Sequence, residues 1–475
     1  MNVSLRVPAL LMDQLHQHLF PGDLDEHGAV IAASVLETPR GVRLLAHRLF
    51  LAEDDVDYIP GQRGYRMLTP AFVRRCILEC ADANLAYLAV HCHGGTDRVA
   101  FSPTDLASHD RGYPALLDIL DGTPAGGLVF AHDAVAGDIW FSDTDRRDLD
   151  MLVVPDRPMR QLTTAPPPRP PGADHRFDRQ ARLFGDRGQL LLRRQKVGVI
   201  GAGGAGSLLV EYLARLGVGE LVAVDPERID PTNLSRVVGS RVRDTLPWLT
   251  SPHVPQPLRR LFERLRTSKV DIAARVVAAA DSATAFTGLM RNVTDAVAAD
   301  ALVDCDYLFL AADSMQARLV FNALVHQYLI PGTQVGVKAQ VDQDTGNVID
   351  LFAVVRPIIP GVGCLWCNEL INPARLQEEA TDPAQRRRQR YIDDEEVPNP
   401  SVITMNAIAC SHAANDYLMT VTGLLTESDL RWLRFNPREL EAIQQFPRQD
   451  DGCRECSDSG RFGRGPTKSL PTDAG

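Results

Sequence analysis

Short apolar runs alternate along the chain with segments whose apolar positions recur at helical spacing. "GAVIAASVLE" (28–37), "GVRLLAHRLFL" (41–51) and "LAYLAVHCH" (85–93) read as strands, and "PAFVRRCILECADA" (70–83) reads as a helix. From residue 179 the order is a helix "RQARLFGDRGQLLLRRQ", a strand "KVGVI", a glycine turn, a helix "SLLVEYLARLG" and a strand "ELVAVD", with a further strand "YLFLAA" at 307–312. Strands alternating with helices predict an α/β fold with a parallel sheet covered on both faces.

Between the two patterned regions lies "TTAPPPRPPGADH", whose prolines can continue neither a helix nor a central strand. The predicted organisation is a first domain over 1–162, a linker over 163–175, a second domain over 176–456, and a small, polar, Gly/Pro-rich tail over 457–475 expected to be disordered. The formal net charge of -11 argues against a general nucleic-acid binder. No apolar run reaches the ~18 residues that span a membrane, and no signal peptide is evident at the start. A cytoplasmic protein with no nucleic-acid and no membrane partner is expected. The charged run "RRRQRYIDDEE" (386–396) reads as a solvated loop.

The strand ending at 93 leads into "HCHGGTDRVAFSPTD". Residues i and i+2 of a strand point the same way, so His91 and His93 can aim two imidazoles at one point, and a loop can return the Asp105 carboxylate to them. Two histidines, a carboxylate and an open fourth position make the arrangement of a zinc hydrolase. Ser102 is placed to donate to a developing oxyanion. Taken alone, His-x-His also fits two polar residues at a strand end. With Ser-x-x-Asp added, the stretch resembles the motif of the JAMM (JAB/MPN) metalloproteases, which implies a cytidine-deaminase-like α/β domain. The resemblance further implies a glutamate general base from an early strand, matched by Glu26 and less well by Glu37. It departs in having Gly94 where that family has proline, and in a slightly longer loop to Ser102.

"KVGVIGAGGAGS" is a strand followed by Gly201-x-Gly203-x-x-Gly206, a turn that lets backbone approach phosphate at a helix N-terminus. Asp225 ends the next strand, where a carboxylate can hold ribose hydroxyls. An NAD-dependent oxidoreductase would fit this much. Asn233, Arg236, Lys269 and Asp313 fit a triphosphate better, since they can grip phosphate oxygens and hold Mg²⁺. Together with the Arg176 to Gln180 opening and Gly204, the set resembles the E1/ThiF/MoeB superfamily of adenylating enzymes. The resemblance implies a Rossmann-like fold, ATP and Mg²⁺ as cofactors, and adenylation of the C-terminal glycine of a ubiquitin-like protein. It also implies a homodimer in which Arg179 stabilises transition-state charge, often from the second subunit. An E2-like or sulfur-carrier protein is a further candidate partner. The Arg- and Pro-rich stretch between Arg236 and Lys269 departs from the pattern as an insertion.

Cys364-x-x-Cys367 and Cys453-x-x-Cys456 have the knuckle spacing of a structural Zn²⁺ site, a second zinc beside the catalytic one. Between the pairs the only cysteine is Cys410, in an apolar helix-like run where thiols are usually packing residues. Adenylation without an enzyme thioester is therefore expected, with Ser401 as a minor alternative nucleophile. Joined in one chain, the two resemblances imply that the first domain trims or deconjugates the small protein that the second activates. The alternatives left open are a non-catalytic docking role for the first domain, an NAD-dependent oxidoreductase that uses the Gly-rich turn for its cofactor, and a short peptide or small acid as the adenylated substrate.

Overall fold

The computed structural model describes residues 2–60, 64, 66–342, 345–380, 400–425 and 429–473. The charged run at 386–396 lies outside them. The chain divides into two compact units. One consists of residues 1–169, 326–329 and 456–469, and the other of 170–325, 330–455 and 470–475.

The first unit is built on a nine-stranded mixed sheet of β1 (Val3–Arg6), β2 (Gly28–Thr38), β3 (Gly41–Leu51), β4 (Ala86–Cys92), β5 (Ala125–Phe130), β6 (Val135–Trp140), β7 (Arg146–Asp148), β8 (Met151–Val154) and β9 (Arg160–Leu162), in the order β7-β6-β5-β4-β2-β3-β1-β8-β9. Side chains of a strand alternate between faces, and β4 shows the consequence. Leu88, Val90 and Cys92 join a core with Met12, Leu15 and Leu19 of α1 (Ala9–Leu19). Tyr87 and Ala89 face a second core with Phe72 and Cys76 of α2 (Pro70–Asp82) and Tyr113 and Leu117 of α3 (Pro103–Ile119). His91 continues the α3 side of that alternation.

Residues 457–473, expected from composition to be disordered, are ordered, and 456–469 pack into the first unit. The Ser34 hydroxyl donates to the Gly463 carbonyl at 2.9 Å, His47 Nδ1 meets the Phe462 carbonyl at 2.7 Å, and Gln327 Nε2 donates to Gly465 at 2.8 Å. The segment buries Phe462 and presses its backbone close at two glycines. A Cβ on Gly463 would lie 2.6 Å from the Ala46 carbonyl oxygen, and one on Gly465 2.5 Å from Ser34 Oγ.

The second unit has an eight-stranded sheet of β10 (Lys196–Ile200), β11 (Glu220–Val224), β12 (Ala285–Leu289), β13 (Tyr307–Leu310), β14 (Gly332–Val341), β15 (Val348–Ile358), β16 (Trp432–Asn436) and β17 (Glu441–Gln445), in the order β12-β11-β10-β13-β14-β15-β16-β17. The run from β12 to β14 is parallel and the remainder antiparallel. The helices are α4 (Asp178–Arg194), α5 (Gly204–Leu216), α6 (Gln256–Glu263), α7 (Lys269–Ala280), α8 (Ala296–Asp300), α9 (Met315–Gln327), α10 (Pro373–Ala380) and α11 (Ile403–Thr422). Strand order runs outward from β10 through β11 on one side and from β13 on the other. This places a topological switch point, where open α/β sheets bind ligands, at the carboxyl ends of β10 and β13. The insertion between Arg236 and Lys269 carries α6, which buries no residue. No helix among the described residues is long and apolar enough to cross a membrane.

Candidate functional site

The first unit brings His91, His93 and Asp105 together. The two Nε2 atoms are 3.2 Å apart, and each is 3.6 Å from Asp105 Oδ2. His93 follows β4, with its amide donating to Phe130 at 2.8 Å. Its Nδ1 donates to the Ala100 carbonyl at 3.2 Å, which leaves the Nε2 lone pair facing the cluster. Donor separations near 3.3 Å are what a tetrahedral ion with bonds of about 2.0–2.1 Å requires, so the set fits zinc.

Asp105 reaches the cluster from the first turn of α3. Ser102 is the N-cap: its Oγ accepts from the Asp105 amide at 3.2 Å, while Asp105 Oδ2 accepts from the Ser102 amide and hydroxyl, each at 2.7 Å. The sequence reading made Ser102 an oxyanion donor. In the structure its hydroxyl proton is committed to Asp105, because the capping box of α3 falls on these two residues. Burial works against ionising Asp105, but His91 and the two hydrogen bonds from Ser102 outweigh it and hold its carboxyl well below the usual range. Glu26 Oε1 lies 3.9 Å from His93 Nε2. Burial raises its carboxyl above the ordinary value, against the pull of His91 and His93. That combination suits a base held beside an ion. Glu37 lies near the far end of β2, whose other end pairs with His91 through Gly28.

At the switch point of the second unit, Gly201 has φ 93° and a Cβ there would lie 3.0 Å from the Ala311 carbonyl. A Cβ at Gly206 would lie 1.7 Å from the Gly201 oxygen, whereas one at Gly203 would meet nothing within 4 Å. The turn is closed on its inner side and open on its outer side, a cradle that fits phosphate. Asp225 caps it: its carboxylate accepts from Ala202 N at 2.7 Å and Glu227 N at 2.8 Å. Burial raises the Asp225 carboxyl, and Lys269 opposes the rise. Lys269 is buried at the start of α7, with its ammonium against Glu227. Asn233 is buried and accepts from the Asp230 amide at 3.1 Å. Arg236 lays its stem on the turn, its Cδ 3.1 Å from where a Gly204 Cβ would be. Asp313, three residues past β13, is exposed and makes no hydrogen bond among the described residues.

Arg179 is not brought to this turn. Its neighbour Gln180 donates to the carbonyl of Leu216, at the opposite end of α5 from Gly204. The thirteen residues of α5 span about 20 Å at 1.5 Å per residue.

Two groups at this end were not singled out from sequence. Asn406 of α11 is buried with its Nδ2 2.6 Å from a Gly204 Cβ position, and it donates to Ser401 Oγ at 3.3 Å. A polar residue in the apolar run "SVITMNAIAC" was the available signal. Glu379 of α10 accepts from the Met315 and Gln316 amides at 3.0 Å each, covering the start of α9 beside Asp313. Cys410 is buried in the α5–α11 packing, its Sγ directed at the Ala205 carbonyl at 3.2 Å, and burial pushes its thiol up to about 12.

The Sγ atoms of Cys364, Cys367, Cys453 and Cys456 all lie within 4.8 Å of one another, with Cys364 at 3.5 Å from Cys367 and 3.7 Å from Cys453. Zinc–sulfur bonds of about 2.3 Å require tetrahedral edges near 3.8 Å, so four thiolates here fit a zinc ion.

The model of the ThiF family matches residues 177–455. Among curated proteins, the chain is 42% identical over 101 residues to the mouse (Mus musculus) adenylyltransferase and sulfurtransferase MOCS3, covering 20% of this chain and 22% of that protein. It is 24% identical over 288 residues to the sulfur carrier protein ThiS adenylyltransferase of Bacillus subtilis, covering 59% of this chain and 71% of that one. A crystal structure of E. coli MccB with ATP aligns with TM-score 0.42 and 19% identity over 61% of this chain and 76% of the other. The chain thus spans about a fifth of the length of the mouse relative it matches.

Proposed function

This chain belongs to the ThiF family, and on that premise we propose that its second unit adenylates the C-terminal glycine of a ubiquitin-like or sulfur-carrier protein. The partner's carboxylate attacks the α-phosphorus of ATP, the bond to the β-phosphate breaks, and pyrophosphate leaves. The observation that carries this reading is the open glycine cradle at the switch point, flanked by Asp225, Arg236 and Asp313. The amides around Gly203 and Gly204 face the phosphates, and Asp225 faces the ribose. Asn233, Arg236 and Lys269 neutralise phosphate charge, and Asp313 would hold Mg²⁺. The named substrate of the Bacillus relative, a sulfur carrier protein, supports the partner class. Arg179 lies at the far end of α5 in its own chain, so its action at a nucleotide requires a homodimer. Cys410, buried and with its thiol pushed up, does not take over the acyl group. The adenylate passes to a separate acceptor, a sulfur donor or an E2-like carrier. Cys364, Cys367, Cys453 and Cys456 would hold a structural zinc.

The first unit acts on the same partner as a JAMM-type peptidase over residues 1–162, joined through the 163–175 segment to the activating domain. The support is the His91, His93 and Asp105 cluster with Glu26 beside it. A zinc ion held there would supply Lewis acidity at the scissile carbonyl. Glu26 accepts a proton from the attacking water and returns it to the leaving amine, and Asp105 is held ionised by Ser102. The test is a ubiquitin-like precursor extended beyond its terminal Gly–Gly. Wild-type protein loaded with zinc should shorten it to the glycine end, and Glu26→Gln should not. An uncut precursor with wild type, together with normal adenylation of the mature form, would leave the first unit as a docking domain.

A further inference from the structure

One turn beyond Asp105, α3 carries a polar group that the hydrolytic reading leaves unused. His109 is 7% exposed, and its Nδ1 lies 2.7 Å from Oδ2 of Asp138 on β6. Asp138 is 2% exposed and accepts three further bonds, from Trp140 Nε1 at 3.2 Å and from Arg146 Nε at 2.5 Å and Nη2 at 2.9 Å. With Arg146 fixed on that carboxylate, His109 Nδ1 must be the donor. Phe101 packs edge-on against the His109 ring at 4.9 Å and lies 6.1 Å from the His91 ring. Gly127 of β5 makes room for the contact, since a Cβ there would lie 2.6 Å from His109 Cε1 and 2.7 Å from Nε2.

The helix that presents Asp105 needs such an anchor. Among its seventeen residues only His109, Tyr113 and Leu117 are buried. Gly112 weakens the helix, and Pro114 within it cannot donate the backbone bond its position calls for. Little apolar burial and a broken hydrogen-bond ladder leave the angle of the first turn poorly defined by α3 itself.

We propose that His109 and Asp138 form a buried positioning pair that fixes α3 against the sheet, and so sets the Asp105 carboxylate at the distance from His91 and His93 that a zinc ion requires. This rests on the reading of His91, His93 and Asp105 as zinc ligands. His109 is a positioning residue and touches no substrate.

Three variants separate this role from packing. Asn at 109 places its amide nitrogen near the Nδ1 position and can still donate to Asp138. Gln places it near Nε2 and loses that bond, while Leu fills the space without a donor. The measurement is competition for zinc with a chromophoric chelator, counting only the equivalent that Asp105→Ala loses, alongside the melting temperature of the metal-free protein. His109→Asn should keep the zinc affinity within about threefold, whereas His109→Gln and His109→Leu should lower it by about tenfold or more, the scale seen when partners behind metal ligands are removed. Asn and Gln impose similar folding burdens, so the comparison holds even if Leu unfolds the unit. Equal affinities for Asn and Gln overturn the positioning role. If Asp105→Ala and His91→Ala lose no zinc relative to wild type, the ligand reading itself fails, and this inference with it.

Discussion

Gly206 lies so close to Gly201 that a Cβ at 206 would sit 1.7 Å from the Gly201 carbonyl oxygen. The obstacle is backbone at the end of β10, which has no rotamer to give way. Gly206→Ala must therefore open the turn, at a cost of about 1–3 kcal/mol or more. The variant should melt earlier than wild type and lose its ATP-induced rise in melting temperature. An unchanged ATP shift would show that nucleotide does not bind this turn.

The two clusters that fit zinc should titrate independently. Metal analysis of the purified chain should find two equivalents, of which Asp105→Ala or His93→Ala removes one and Cys364→Ser with Cys367→Ser removes the other. The thiolate variants should also lower the melting temperature by several degrees, because a structural zinc contributes directly to folding. Loss of both equivalents in either variant would mean the clusters are not separate sites.

Arg179 and the Gly201 turn lie at opposite ends of α5 in one chain. If Arg179 acts across a dimer, mixing Arg179→Ala protein with Asp313→Ala protein should restore activity that neither has alone. Random exchange would give about a quarter of the wild-type rate, since half the dimers are mixed and each then holds one intact site. No recovery after verified subunit exchange would remove Arg179 from the mechanism.

Acid should loosen the packing of the C-terminal segment through His47. Burial, outweighing its bond to Phe462, lowers this imidazole to about 4. Above pH 6.5 the residue is neutral whether folded or unfolded and has no effect. Between pH 6.5 and about 4 only the unfolded chain binds the proton, so stability falls by up to roughly 3 kcal/mol. His326, lowered by burial to about 3, acts in the same direction. His47→Asn, which keeps a donor for the Phe462 carbonyl, should melt with a shallower pH dependence across that window. Identical slopes would rule out the effect.

The parts of the fold legible in the sequence are those set by local pattern. The strand "GVRLLAHRLFL" coincides with β3, and "PAFVRRCILECADA" with α2 to within a residue, because proline, capping and apolar spacing act over a few positions. His91 and His93 could be aimed together from strand geometry alone. What was not legible depends on groups distant in the chain. Asn406 reaches Gly204 across two hundred residues, Glu379 covers an α9 start that local pattern does not mark, and residues 456–469 are ordered by Ser34, His47 and Gln327. Ser102 carried a second local signal: besides the catalytic role its residue type can fill, it forms a capping box with Asp105 at the start of α3.

The most direct test of adenylation is intact-mass spectrometry of this protein mixed with ATP, Mg²⁺ and a panel of ubiquitin-like and sulfur-carrier proteins ending in glycine. The account predicts that one partner gains the mass of AMP while the 475-residue chain carries no thiol-sensitive adduct. A thioester on the chain, or no partner gaining AMP while ATP binding is intact, would contradict it.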